Sequence, residues 1–194
     1  MRTELPAARQ VVDAIGGWRR EASARLVVAI DGHGAAGKSA LAEAVGTLLV
    51  ASLIHVDHFF REAGATGAAG ESPMAAYYDW PRLRREALGP LRRGERASFR
   101  AFDWERDGYL PDPVVVEPAE LIVVEGVSSS TAALAELVDR TVLVVTPESE
   151  RVARLHDRIA DEAWDDAWLT AERRYFAERH ESWFDLVVSG SAAS

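Results

Sequence analysis

Cysteine is absent from this sequence, which excludes disulfides, thiolate metal sites and cysteine nucleophiles. Lysine is nearly absent: of 22 basic residues, 21 are arginine and one is lysine, Lys38. A preference for arginine can follow from genome composition alone. The single exception therefore marks a position where a guanidinium does not stand in for an ammonium. No apolar run reaches the roughly 18 residues that a membrane helix needs. The opening residues Met1-Arg-Thr-Glu-Leu-Pro lack the apolar core of a signal peptide, and a reducing, cytoplasmic setting is expected. Basic residues are outnumbered by 31 acidic ones, for a net charge of −9. Phosphate neutralisation supplies most non-specific nucleic-acid affinity, so neither nucleic acid nor membrane is expected as a partner. No internal repeat is present.

Hydrophobic residues make up 48% and charged residues 27% of the 194. These are ordinary globular values and exclude a disordered, collagen-like or coiled-coil chain. An apolar stripe (Val11, Val12, Ile15) predicts a helix over 7–22. Short apolar strands are expected at 26–30, 52–56, 121–125, 141–146 and 186–188, with helices over 39–50, up to about 159 and over 165–179. Ser72-Pro73 and Asp79-Trp80-Pro81 are helix-start signals. The second opens a helix running to about Gly94, which Pro90 should kink or interrupt. Segments 98–104 and 114–117 read as strands outside the main alternation, and 62–70, rich in alanine and glycine, as a loop. Solidly apolar strands alternating with helices describe an α/β fold, a mostly parallel sheet covered on both faces. The expected layout is an N-terminal helix over 1–24 and one domain over 25–194, with a short helical lid at about 158–170.

The sharpest pattern is Gly32-His33-Gly34-Ala35-Ala36-Gly37-Lys38-Ser39, which fits G-x-x-x-x-G-K-[ST]. Backbone N–H groups that converge on phosphate oxygens need small residues and glycines free to take positive φ. The helix that follows aims its N-terminal dipole at the same anion. Lys38 is placed to reach the β- and γ-phosphates, and Ser39 to supply a hydroxyl to Mg²⁺. The loop follows a strand and opens a helix, so it is read as a nucleotide site. His33 is a spacer in it, at a position open to any residue.

In an open parallel sheet, ligands bind beyond the carboxyl ends of the strands. Asp31, Asp57 and Glu125 all end strands. Asp31 is tied to the turn before the loop, where an aspartate's ordinary role is to hold turn geometry. Asp57 and Glu125 lie where the phosphate site must open, and a carboxylate there can serve a metal or take a hydroxyl proton. His55 and His58 flank Asp57 at a spacing poor for chelation, and read as hydrogen-bonded or solvated histidines. The stretches Tyr77-Tyr78-Asp79-Trp80 and Phe99 to Trp104 interleave rings with acids. That suits plain core or, equally, a polyol or nucleoside.

Taken in order, these segments resemble the uridine kinase-like family of P-loop small-molecule kinases, whose relatives include nicotinamide riboside kinase, pantothenate kinase and phosphoribulokinase. The resemblance runs from about Leu26 to Val188. It implies the P-loop fold, ATP and Mg²⁺, and a small hydroxyl-bearing acceptor, with a homo-oligomer left open. His55-Val-Asp-His-Phe-Phe60 is similar to the segment that carries the family's base, which falls on Asp57. Tyr78-Asp-Trp-Pro81 is similar to the segment whose aspartate holds ribose hydroxyls, which falls on Asp79. Val124-Glu-Gly126 matches a strand-end Phe-Glu-Gly at Glu125, implying a role toward metal or substrate. The first lid arginine matches Arg158.

There are departures. Phe102 stands where the family's Tyr-Asp-Phe has a base-reading tyrosine, with Trp104 closing that segment, and Asp107 stands at the family's base-contacting histidine. Asp161 stands at a second lid arginine, which Arg154, Arg173 or Arg174 would have to replace. The expected reaction is ATP-dependent phosphoryl transfer to a metabolite hydroxyl. Lys38, Asp57 and Arg158 are the expected catalytic residues, and Ser39 and Glu125 serve the metal. Asp57, Tyr78, Asp79, Phe102, Trp104, Glu125 and Arg158 are expected around the substrate, with uridine and cytidine poor acceptors. One rival is a nucleotide-binding adaptor with little turnover, favoured by Asp161. The other is a nucleoside monophosphate kinase that would use Arg82, Arg84 and Arg85 on the acceptor phosphate.

Overall fold

The computed structural model describes residues 6–22, 24–62, 72–158 and 166–191. Five strands form one parallel sheet: β1 (Leu26–Asp31), β2 (Ala51–His55), β7 (Leu121–Glu125), β8 (Arg140–Val145) and β9 (Leu186–Ser189), in the spatial order β2-β7-β1-β8-β9. Four smaller strands form two antiparallel pairs outside it. One joins β3 (Ala97–Phe99) to β6 (Val114–Val116), the other β4 (Phe102–Asp103) to β5 (Gly108–Tyr109). The continuous strand expected over 98–104 is thus split, with its two halves pairing different partners.

Strand side chains alternate between faces, and the core divides accordingly. Val27 and Ala29 join Ile122 and Val124 on one face, against Met74, Trp80, Leu83 and Leu88. Leu26, Val28 and Ile30 join Val123, Val142 and Val144 on the other, against α1 (Pro6–Glu21) and α2 (Lys38–Leu49). Covering on both sides is why β1 and β7 read as unbroken apolar runs. Ala8, Val11 and Ile15 of α1 are buried in this second layer, so the N-terminal helix is part of the domain's own core.

The helix opened by Asp79 continues past Pro90, with its α-helical bonding interrupted just ahead of the proline. It is α-helical over α3 (Trp80–Leu83), widens to a π-helical stretch over Arg84–Leu88, and returns to α over α4 (Gly89–Arg92). The Gly89 N–H bonds back to the Arg84 carbonyl. Proline inside a helix collides with the preceding turn and lacks a donor, and the wider turn ahead of Pro90 relieves both problems. After β8 come α5 (Glu148–Arg158) and α6 (Asp166–Ala177). The glycine-rich stretch 63–71, Asp161, Trp164 and most of the expected lid lie outside the described residues, as does the Arg158 side chain.

Candidate active site

The glycine-rich loop joins β1 to α2 at the carboxyl end of the central strand. Gly32 opens it at φ 149, and a Cβ there would lie 2.5 Å from the Val144 carbonyl oxygen. Both the angle and the space therefore demand glycine. Ala35 takes a left-handed φ of 59, and Gly37 caps α2 at φ 97. Lys38, only 7% exposed, donates from Nζ to the His33 carbonyl at 2.8 Å. The ammonium thus arches over the loop that carries it.

Asp31 does hold turn geometry, and on a larger scale than one turn. Fully buried, it accepts from the N–H groups of Gly32, Ser128 and Ser130 and from the hydroxyls of Ser130 and Tyr175. One carboxylate thereby fixes the start of the loop, the turn after β7, and α6.

Glu125 ends β7 next to β1, and is 3% exposed. The Ser39 hydroxyl lies 3.2 Å from each of its oxygens, and His55 Nδ1 lies 2.6 Å from Oε1. The hydrogen bond to Glu125 raises the His55 pKa against the opposing effect of burial. The turn after Glu125 needs Gly126, at φ 144 with Val56 Cβ 2.6 Å from where a side chain would begin. That close approach brings the segment bearing Asp57 against the end of β7. A hydroxyl and a carboxylate meeting beside the phosphate loop are hard oxygen donors of the kind Mg²⁺ prefers, and the pair fits that ion.

Asp57 sits in the single 3₁₀ turn Val56–Phe59, just past β2 rather than within it. Its surface is open to the cleft, yet surrounding protein withdraws enough water to raise its pKa, and the Glu125 carboxylate adds to the rise. Lys38, the Tyr78 hydroxyl and His55 pull in the other direction. Water in the open cleft softens the desolvation, and a substrate that displaces it restores the full effect. Tyr78 donates to Asp57 Oδ1 at 3.0 Å. Next to it, burial and the neighbouring His55 push His58 down to about 4, so its imidazole is neutral.

The segment after Asp57 pairs with the one before α3. Phe60 bridges Tyr78, the Arg61 N–H bonds the Tyr77 carbonyl, and the Asp79 N–H bonds the Phe59 carbonyl. Asp79 Oδ1 caps α3 at the Arg82 N–H, 3.0 Å away, with Arg61 Nη2 at 3.9 Å. Beyond these acids stand rings. Phe60 meets Trp104 at 4.4 Å and Phe102 at 5.4 Å between centroids. Trp104 is exposed, while Tyr78 and Phe102 are buried. Those two therefore stand behind the cleft, Tyr78 acting on Asp57 and Phe102 backing the ring wall. Asp107 is exposed at φ 49 in the turn between β4 and β5, a conformation aspartate tolerates.

Arg82, Arg84 and Arg85 are engaged elsewhere. Arg82 donates to the His58 and Arg100 carbonyls, Arg84 to the Ala133 carbonyl and Glu136, and Arg85 to Glu86. Of the three stand-ins for a lid arginine, Arg154 reaches the loop, donating to the Ala35 and Gly190 carbonyls. Arg174 pairs with Glu178 on an exposed face, and Arg173 is exposed.

Two residues here escaped the sequence reading. Arg151, one turn before Arg154, donates to the Gly34 carbonyl at 3.3 Å. Glu172 of α6, 3% exposed, accepts from the Gly34 N–H at 2.5 Å and lies 3.4 Å from His33 Nδ1. Burial alone would raise its pKa, but His33, the Gly34 N–H and Lys38 outweigh burial and hold the carboxyl below the usual glutamate value. The available signal was an acid between Trp168 and Tyr175 on one helical stripe, an unusual place for a charge.

No family model matches the chain. A uridine kinase from Halobacterium salinarum is 28% identical over 141 residues, 69% of this chain and 62% of that relative. The match therefore spans less than two thirds of the relative's length. Among solved structures, a possible uridine kinase from Bacillus stearothermophilus superposes with a TM-score of 0.66 at 20% identity, covering 92% of this chain and 97% of the other. A structure assigned to a fructose transport system kinase from Silicibacter sp. TM1040 gives 0.68 at 21% identity, covering 93% and 98%. These likenesses bear out the P-loop kinase fold and the resemblance to uridine kinase-like proteins that the motifs carry.

Proposed function

We propose that the chain transfers the γ-phosphoryl group of ATP to a hydroxyl of a small, unphosphorylated metabolite. The observation that carries this reading is the meeting of three strand ends. The phosphate loop with Lys38 lies beyond β1, the Ser39–Glu125 pair at the end of β7, and Asp57, open to the cleft, just beyond β2. In this reading the loop amides and Lys38 hold the phosphates. Ser39 and Glu125 hold Mg²⁺, which supplies charge neutralisation to the transferring group. Asp57 accepts the proton of the acceptor hydroxyl as its oxygen bonds to phosphorus and the bond to ADP breaks. Tyr78 fixes the orientation of Asp57. Asp79 and Arg158 orient the acceptor, Trp104 offers it a ring face, and Arg154 serves the loop from above.

A phosphorylated acceptor is disfavoured, because Arg82, Arg84 and Arg85 are engaged with carbonyls and carboxylates. Pyrimidine nucleosides are disfavoured as well. Phe102 has no polar edge to offer, and Asp107 turns with an exposed hairpin end. A site lacking hydrogen-bond readers cannot reward a polar base.

The test is substrate-dependent ADP release across nucleosides, vitamins and sugars, with Asp57→Asn as control. The expected result is one acceptor class outperforming uridine, with kcat lowered roughly 10²–10⁴-fold in the variant. ADP release that no hydroxyl compound stimulates would favour the adaptor reading instead.

A further inference from the structure

The first half of the phosphate loop is already occupied by the protein's own groups. Gly34 N–H, which would face an incoming phosphate, is bonded to Glu172. Trp168, one turn earlier on α6, lies against Gly34 from the same side. Phe176 stacks on the His33 ring with centroids 4.0 Å apart. From α5, Arg151 and Arg154 hold the Gly34 and Ala35 carbonyls.

Nor is α6 free to swing away with Glu172. Three residues on, the Tyr175 hydroxyl donates to the buried Asp31 at 2.8 Å, and Tyr175 itself is fully buried. Glu172 is thus seated on the core by the same aspartate that starts the loop. Its charge acts together with that of Lys38, and it reaches the Tyr78 hydroxyl.

We propose that Glu172 is a fixed acidic element of the phosphate site. It is a positioning residue that holds Gly34 and His33 and, by its charge, makes the loop discriminate against nucleotide that carries no divalent metal. The inference rests on the reading of the loop as an ATP site. Its physical basis is simple. A carboxylate that takes one loop amide subtracts a donor from the phosphate cradle and adds a like charge beside the phosphate oxygens. A bound divalent ion cancels two nucleotide charges and with them most of the repulsion. Loss of the charge should therefore benefit free nucleotide far more than its metal complex. A purely structural clamp would produce the opposite sign, because weakening it would weaken binding of both forms.

The experiment is calorimetric titration of the full chain with ATP in EDTA and with Mg·ATP. It compares wild type with Glu172→Gln, which retains an oxygen for the Gly34 N–H, and with Glu172→Asp, which retains the charge. Thermal melts confirm folding of each. Glu172→Gln is expected to bind free ATP roughly tenfold tighter than wild type and Mg·ATP less than threefold tighter. Glu172→Asp is expected to show no gain for free ATP. Equal affinities of wild type and Glu172→Gln for free ATP, or weaker binding of both forms by Glu172→Gln, overturn the inference and leave the kinase reading standing. A gain in Glu172→Asp as large as in Glu172→Gln also overturns it, since charge would then not be the cause. Failure of wild type to bind either form overturns the nucleotide reading itself.

Discussion

Tyr78→Phe isolates the hydrogen bond that prepares Asp57 for its proposed role as base. The ring is 1% exposed and packed against Trp80 and Phe60, so phenylalanine fills the same space. What is lost is the hydroxyl donating to Asp57 Oδ1 at 3.0 Å. A hydrogen bond to a charged acceptor contributes about 1.5–3 kcal/mol, and one pKa unit corresponds to about 1.4 kcal/mol. Asp57 is open to the cleft, so water replaces part of the lost bond and the lower end of the range applies. That bond lowers the Asp57 pKa; without it the carboxyl should rise further. A base works only when deprotonated. The acid limb of kcat/KM for the acceptor, which reports the free enzyme, should therefore move about one unit to higher pH. The plateau above it should stay within a few-fold of wild type. The measurement is a pH profile of ADP release at saturating Mg·ATP with the best acceptor. An unmoved acid limb beside a plateau lowered a hundredfold would refute the reasoning, showing that Tyr78 touches substrate rather than tuning Asp57.

Other expectations follow from single residues. Lys38→Ala should abolish turnover and Lys38→Arg should reduce it by over a hundredfold, on the order of 3 kcal/mol; wild-type rates in both would remove the loop from catalysis. Asp57→Asn should melt higher than wild type at neutral pH. An acid whose folded pKa is raised loses stability as pH rises through that value, and Asn carries no such charge; a lower melting temperature would contradict the raised pKa. Val50, exposed at φ 52 as the C-cap of α2, holds a β-branched side chain in the left-handed region. Val50→Gly should stabilise by about 1 kcal/mol, raising Tm by roughly 2–4 °C, and a fall in Tm would show the strain to be absent.

Much of this architecture was legible because it is written locally. Glycines at 32 and 37 before Lys38 and Ser39, and apolar runs ending in Asp31 and Glu125, specify loop and strand ends within a few residues of sequence. The N-cap at Asp79 was equally local, and it is real. What escaped depends on distance or compensation. Glu172 meets Gly34 across 138 positions, and helical periodicity says which residues share its face but not which loop that face covers. The interruption expected at Pro90 takes the form of a π-helical stretch over Arg84–Leu88 just ahead of it, a compensation no propensity announces. The split between β3 and β4 follows from two different partners, and strand propensity carries no pairing information.

The single lysine acquires its physical reason from this arrangement. The residue is almost wholly buried and its ammonium donates to the His33 carbonyl, and it acts electrostatically on Asp57 and on Glu172. These partners belong to three different segments: the loop, the turn after β2 and α6. Three rotatable N–H donors on a compact charge can serve them in turn and still turn toward a phosphate. A planar guanidinium directs its donors in one fixed fork and needs more room. The acids have other partners besides that cation: His55 shares the charge of Glu125, the Tyr78 hydroxyl that of Asp57, and the Gly34 N–H that of Glu172. Substitution at Lys38 thus disturbs two acids at once, which is a physical reason for arginine to fill 21 other positions in this chain and not this one.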